Sequence, residues 1–115
     1  MSEYAILIYD NETPYATFSP AQWQEVFEAH SRFAGQVVAK GGTLLGQRAL
    51  HPTRTATSIR GGVVTDGPFV DTTEPFCGYY LIEAADMDQA VDIATLCPAR
   101  FGGVEVRPIM KVDQA

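Results

Sequence analysis

The spacing of apolar and polar positions changes period several times along the chain, and each change marks an element. Residues 4–9 read Tyr-Ala-Ile-Leu-Ile-Tyr, with Tyr4, Ile6 and Ile8 on one face of a strand and Ala5, Leu7 and Tyr9 on the other. A strand apolar on both faces is buried on both sides. Helices of the same chain can cover one side, and the other needs a second layer.

A polar loop over 10–17 leads to Ser19-Pro20, where the period becomes helical. Ser19 fits the N-cap, Pro20 the first helical position and Gln22 the reciprocal position of a capping box, while Phe18 and Trp23 are spaced as a hydrophobic staple. Apolar side chains recur at Trp23, Val26, Phe27, Phe33, Ala34, Val37 and Val38, and Lys40-Gly41 supplies a cationic last turn and a stop. His30 falls inside this stripe. It is either a half-buried core histidine with one hydrogen-bond partner or a group that the helix delivers into a pocket against the sheet.

Thr43–Leu50 reads as a strand, with His51-Pro52 as a break. Thr53, Thr55, Thr57 and Ile59 then alternate with Arg54, Ala56, Ser58 and Arg60, which predicts a strand over 54–60 with one wet face. Gly61-Gly62 suits a type I′ turn, and Val63–Thr65 returns antiparallel. Asp66-Gly67-Pro68-Phe69 follows as a tight corner: Asp bonds the backbone ahead of it, Gly tolerates positive φ, and Pro pre-sets φ. Phe76–Ala84 is the next strand, again apolar on both faces. Asp86 caps a second helix with Gln89 in the box position; Met87, Ala90, Val91 and Ala94 form its stripe, and Pro98 ends it. Beyond Gly102-Gly103, Val104–Met110 is a last strand whose Pro108 places it at an edge or a strand end. From about Val112 the chain reads as a loose tail.

The order is β-α-β-(hairpin)-β-α-β within a single expected domain of 115 residues. Right-handed crossovers applied to two split βαβ units predict an α+β fold: a ferredoxin-like antiparallel sheet, two helices on one face, and an inserted β-hairpin. Tyr4, Ile6 and Ile8, with one face of 76–84, are expected to need cover from a second copy stacked sheet on sheet.

Composition narrows the function classes. A chain that is 46% hydrophobic and 19% charged is ordinary for a soluble protein. Its net charge of −6 argues against a nucleic-acid partner, because such surfaces cluster Lys and Arg. Cys77 and Cys97 are too few for a disulfide scaffold and read as small core hydrophobes. With neither a signal-peptide pattern nor an apolar run long enough to cross a bilayer, no membrane association is expected, and the expected compartment is the cytoplasm.

His30, His51 and the acids match no metal-ligand spacing, no nucleophile elbow is present, and the diglycines open no helix, so neither metal nor cofactor is expected. The catalytic candidates are His30 and Asp66, acid–base groups whose pKa an apolar wall can shift. Gly67, Pro68 and Phe69 are candidate pocket residues at the corner. Arg48 and Arg54, with Arg60 and Arg107, are either solvated or hold an anionic small molecule. Asp71 and Glu74 read as turn and cap formers.

Val64-Thr-Asp-Gly-Pro-Phe-Val-Asp-Thr72, Gly78-Tyr-Tyr-Leu-Ile-Glu-Ala84, Cys97-Pro-Ala99 and Val104-Glu-Val-Arg-Pro108 together resemble the DGPF branch of the YCII-related proteins, over Met1 to about Lys111. The resemblance implies a dimeric α/β barrel. It also implies company with extracytoplasmic-function sigma factors, beside which many relatives are encoded or to which they are fused. The branch has no settled activity. The reading is therefore a small dimeric enzyme or small-molecule-binding protein; the alternative is a non-catalytic module contacting such a sigma factor.

Two departures stand out. Relatives usually continue Asp-Thr with Lys-Glu-Gln-Leu-Gly-Gly, where this chain has Thr73-Glu-Pro-Phe-Cys-Gly78 and so lacks the lysine. The wider group has a proposed His–Asp pair. His30, eleven residues before Gly41, matches its histidine, but Cys97-Pro98 stands where its Asp-Pro belongs. The histidine is kept and its carboxylate is not.

Overall fold

In the computed structural model, which describes residues 1–112, two helices lie against an open four-stranded antiparallel sheet. The strands are β1 (Ser2–Tyr9), β2 (Thr43–Ala49), β5 (Phe76–Ala84) and β6 (Gly103–Pro108), in the spatial order β2-β5-β1-β6. Helix α1 (Pro20–Ala39) links β1 to β2, and α2 (Met87–Ala94) links β5 to β6. Each helix thus connects two strands that have a third between them, as two interleaved βαβ units require. A separate hairpin of β3 (Thr57–Arg60) and β4 (Val63–Asp66) lies between β2 and β5 in the chain. The sheet ends at β2 and β6, so one chain does not close into a barrel. The loose tail expected beyond Val112 lies outside the described residues.

The helix starts follow from their caps. Ser19 Oγ accepts from Gln22 N at 3.2 Å, and Gln22 Oε1 accepts from Ser19 N at 2.7 Å, closing the capping box around Pro20. Phe18 and Trp23 meet as the staple, ring centroids 5.7 Å apart. Asp86 Oδ1 caps α2 by accepting from Gln89 N at 2.9 Å.

The core joins Tyr4, Ile6 and Ile8 of β1 and Tyr80, Ile82 and Ala84 of β5 to Phe33 and Val37 of α1 and to Ala90, Ile93 and Ala94 of α2. This corrects the expected orientation of β1: the Tyr4, Ile6, Ile8 face is covered by the chain's own helices. The opposite face, with Ala5, Leu7, Tyr9, Tyr79 and Leu81, is the part-exposed one.

Both helices also bury a narrower stripe than the sequence pattern suggests. Phe27 is 61% exposed and Val38 65%, leaving Val26, His30, Phe33, Ala34 and Val37 to face the sheet from α1. On α2, Ile93 is buried in place of Met87 and Val91. A helix lying on a twisted sheet contacts it along a strip narrower than its full apolar arc, so the flanks of the arc stay wet.

The stretch 54–60 is extended only from Thr57. Residues Thr53–Thr55 form a single 3₁₀ turn, closed by Thr55 N donating to Pro52 O at 2.9 Å. Glu12 holds that turn in place by accepting from Thr53 N at 3.0 Å and from the Thr53 hydroxyl. A contact reaching from 12 to 53 overrides the local alternation.

Candidate functional site

The end of β1 carries Asp10, a buried acid. Its Oδ2 accepts from Tyr15 Oη at 2.7 Å and its Oδ1 from Phe101 N at 2.8 Å, so one carboxylate ties β1, the 13–17 turn and the loop before β6 together. That loop comes close only because residue 102 is glycine, since a Cβ there would collide with the Tyr9 carbonyl. Around this tie Tyr15, Phe18, Trp23 and Phe101 form one aromatic cluster, with centroids between 4.8 and 6.4 Å apart. Burial, reinforced by Asp10, pushes the Tyr15 phenol well above its usual pKa, so it remains a proton donor to the carboxylate.

His30 points from α1 to the sheet. Its Nδ1 lies 2.6 Å from Tyr80 Oη on β5, and Phe33 packs edge-on against the Tyr80 ring with centroids 4.8 Å apart. His30 is half-buried, and among the described residues no group bonds Nε2. Burial lowers the His30 pKa; the positive field of Arg100 adds to this, and the negative field of Asp10 opposes it. The ring is neutral at neutral pH. Burial pushes the Tyr80 phenol up to about 12, so it keeps its proton. A phenol can donate to an imidazole nitrogen or accept from it, whereas a carboxylate can only accept. The pairing is thus compatible with either tautomer of His30, and Nε2 can give or take a proton.

Cys97 does not complete the pair. Its Sγ lies 3.9 Å from the Pro98 carbonyl and makes no bond to His30; burial pushes its thiol up to about 12, so it stays protonated. Cys77 is likewise raised, to about 11, first by burial. Its Sγ approaches the Ile8 carbonyl at 3.4 Å, where the pairing of β1 with β5 shifts register.

Asp66 is elsewhere. It ends β4 opposite Thr57, its carboxylate is exposed, and among the described residues it makes no hydrogen bond. The corner is closed instead by Gly67 N donating to Ala56 O at 2.8 Å and by Ser58 Oγ donating to Gly67 O at 2.6 Å. Gly67 sits at φ 107°, where a side chain is strained. Pro68 and Phe69 line a half-open groove of about 410 Å³ with Tyr9, Leu50, Thr53 and Phe76; neither His30 nor Asp66 lines it.

The arginines do not converge. Arg48 is on edge strand β2 and Arg107 on edge strand β6, three strand spacings or roughly 14 Å apart. Arg107 pairs with Glu105, Arg54 is in the 3₁₀ turn, and Arg60 lies 4.0 Å above the Phe69 ring. Among the described residues no three His, Cys, Asp or Glu side chains gather as metal ligands.

Sequence reasoning passed over Tyr80, Asp10, Tyr15 and Arg100. Tyr80 carries only a partial signal: Tyr79 and Tyr80 stand on opposite faces of a strand that is apolar on both, and the sequence does not say which of them meets the helix. Asp10 carries only a weak one, an acid ending an apolar strand.

Two comparisons bear on these features. Residues 2–113 match the model of the YCII-related domain. An uncharacterized protein of Rhizobium meliloti (strain 1021) is 34% identical over 114 residues, covering 92% of this chain and 90% of that protein. The match spans both helices, the four-stranded sheet and the hairpin, and the chain belongs to the YCII-related family.

Proposed function

We propose that the protein is a small dimeric enzyme or small-molecule-binding protein whose working group is His30. The observation that carries this reading is the His30–Tyr80 pair: Nδ1 is held at 2.6 Å while Nε2 has no partner among the described residues. A neutral imidazole of lowered pKa, fixed by one nitrogen and free at the other, is suited to take a proton from a bound molecule and return it. Asp66 and the Gly67–Phe69 corner, with its adjoining groove, form a second region that serves binding and not proton transfer.

Two copies stack through their open sheet faces as a dimeric α/β barrel in the cytoplasm, without cofactor. Among the described residues no helix is long and apolar enough to cross a membrane. The test is a thermal-shift screen of small acids, phenols and enolisable carbonyl compounds on the wild type and His30→Gln. A ligand that binds only the folded state raises its melting temperature. The reading expects at least one compound that shifts the wild type and not the variant; hits that shift both equally would remove His30 from the site.

A second reading, a non-catalytic module contacting an extracytoplasmic-function sigma factor, is favoured by the exposed apolar side chains of the hairpin. Titration calorimetry with a purified sigma factor of that class tests it. Heat of binding supports the module, and its absence removes it.

A further inference from the structure

Helix α1 covers edge strand β2 at one end and leaves it open at the other. Leu44, opposite Ile82, packs onto the core. Gln47, opposite Tyr80, and Ala49, opposite Gly78, stand on the same helix-facing side of the sheet and are exposed. Directly opposed residues share a face, and their Cβ atoms lie roughly 5 Å apart. The Gln47 side chain therefore stands beside the tyrosine that tethers His30. Among the described residues its amide makes no hydrogen bond. Ala49 and Gly78 carry no more than a methyl group, so the sheet is recessed next to it.

The α1 side of this recess is apolar. Phe27, one turn before His30, is exposed and lies on the flank of α1 turned away from α2, since Lys40 on the other flank pairs with Asp92 of α2 at 2.9 Å. Charge is already spoken for. The fields that reach His30 come from Arg100 and Asp10, which are of opposite sign. Arg100 has Glu25 at 3.9 Å, and Asp10 is bonded to Tyr15 and Phe101, so both charges have partners within the chain. Arg48 of β2 is paired with Tyr79 and so belongs to the other face of the sheet. What the recess offers beside His30 is an uncharged amide.

We infer that Gln47 is the substrate-binding partner of His30, and that the recess takes an uncharged carbonyl compound whose oxygen accepts from the Gln47 amide. The inference rests on the His30 reading above and names its substrate class. With Nδ1–H donated to Tyr80 Oη, Nε2 takes a proton from the carbon next to the carbonyl. The C–H electron pair becomes a C=C bond, the carbonyl π pair moves to oxygen, and the Gln47 N–H meets the charge that develops there. Return of the proton to oxygen or to carbon completes an enolisation in which nothing is oxidised or reduced.

The test is an NMR titration of the whole protein with acetophenone and with benzoate, an anion of similar size. The His30 ring signals are followed in the wild type, Gln47→Leu and Gln47→Glu. Gln47 is exposed on an edge strand, so both variants keep the fold, and Gln47→Glu keeps the shape of the side chain while removing its N–H donor. Acetophenone is expected to move the ring signals of the wild type and to bind it about tenfold more tightly than either variant. Benzoate is expected to bind the wild type more weakly than acetophenone does. Equal acetophenone affinity in all three proteins, or a preference for benzoate, overturns the Gln47 assignment, and leaves the His30 site standing if the ring signals still move. Ring signals that neither probe moves remove the His30 reading and this inference with it.

Discussion

Nδ1 of His30 and the phenolic oxygen of Tyr80 stand 2.6 Å apart with ring planes 17° from parallel, linking α1 to an inner strand of the sheet. Tyr80→Phe keeps the ring against Phe33 and removes only that oxygen. Nδ1 is then a half-buried polar atom without a partner, which costs about 1–3 kcal/mol. Urea denaturation should show that loss. An unchanged midpoint would mean that the bond contributes nothing to the folded state.

Asp10 should matter more to stability than any other acid described here. Asp10→Ala strands the Tyr15 hydroxyl and the Phe101 amide together, an expected loss of about 3 kcal/mol. Asp10→Asn keeps an oxygen for the Phe101 amide and should lose less. Equal losses for the two variants would show that the cost is one of packing and not of hydrogen bonding.

At the hairpin corner the glycine, not the acid, carries the turn. Because the Asp66 carboxylate is exposed and makes no hydrogen bond among the described residues, Asp66→Ala should leave stability within about 0.5 kcal/mol. Gly67 sits at φ 107°, and Gly67→Ala should cost about 1–3 kcal/mol. Denaturant melts of the two variants decide the order, and a reversal would place a turn-locking bond on Asp66.

Strand positions and helix starts were legible because their signals are local. Ser19, Gln22, Asp86 and Gln89 act within three residues of one another, and the caps form where the sequence places them. Facing was less legible. The Tyr4 and Ala5 faces of β1 are both apolar, and only the order β2-β5-β1-β6 and the side taken by the helices decide which is covered. The inward direction of His30 follows from the α1 stripe, although Phe27, expected beside it in the core, faces water. Its partner could not be read. Tyr80 is fifty residues away and Phe101 meets Asp10 across ninety-one, contacts that no period within a strand or helix encodes.

The His30 pKa shift has a direction in stability. Its folded pKa lies below the unfolded value of 6.5, so below that pH the unfolded chain binds the proton more readily. Stability linked to His30 is complete above pH 6.5 and is lost as pH falls through the folded pKa. His30→Gln should flatten that part of the stability–pH curve. A variant with the same slope as the wild type would assign the acid sensitivity to other groups.

The most direct test is a pH titration of the His30 imidazole by nitrogen-detected NMR, in the wild type and in Tyr80→Phe. A neutral ring tethered by Nδ1 should titrate below 6.5, with the Nδ1 signal changed by loss of the phenol and Nε2 exchanging with solvent. A ring that titrates at or above 6.5, with nitrogen shifts indifferent to Tyr80→Phe, would contradict the tethered neutral base and with it the His30-centred function.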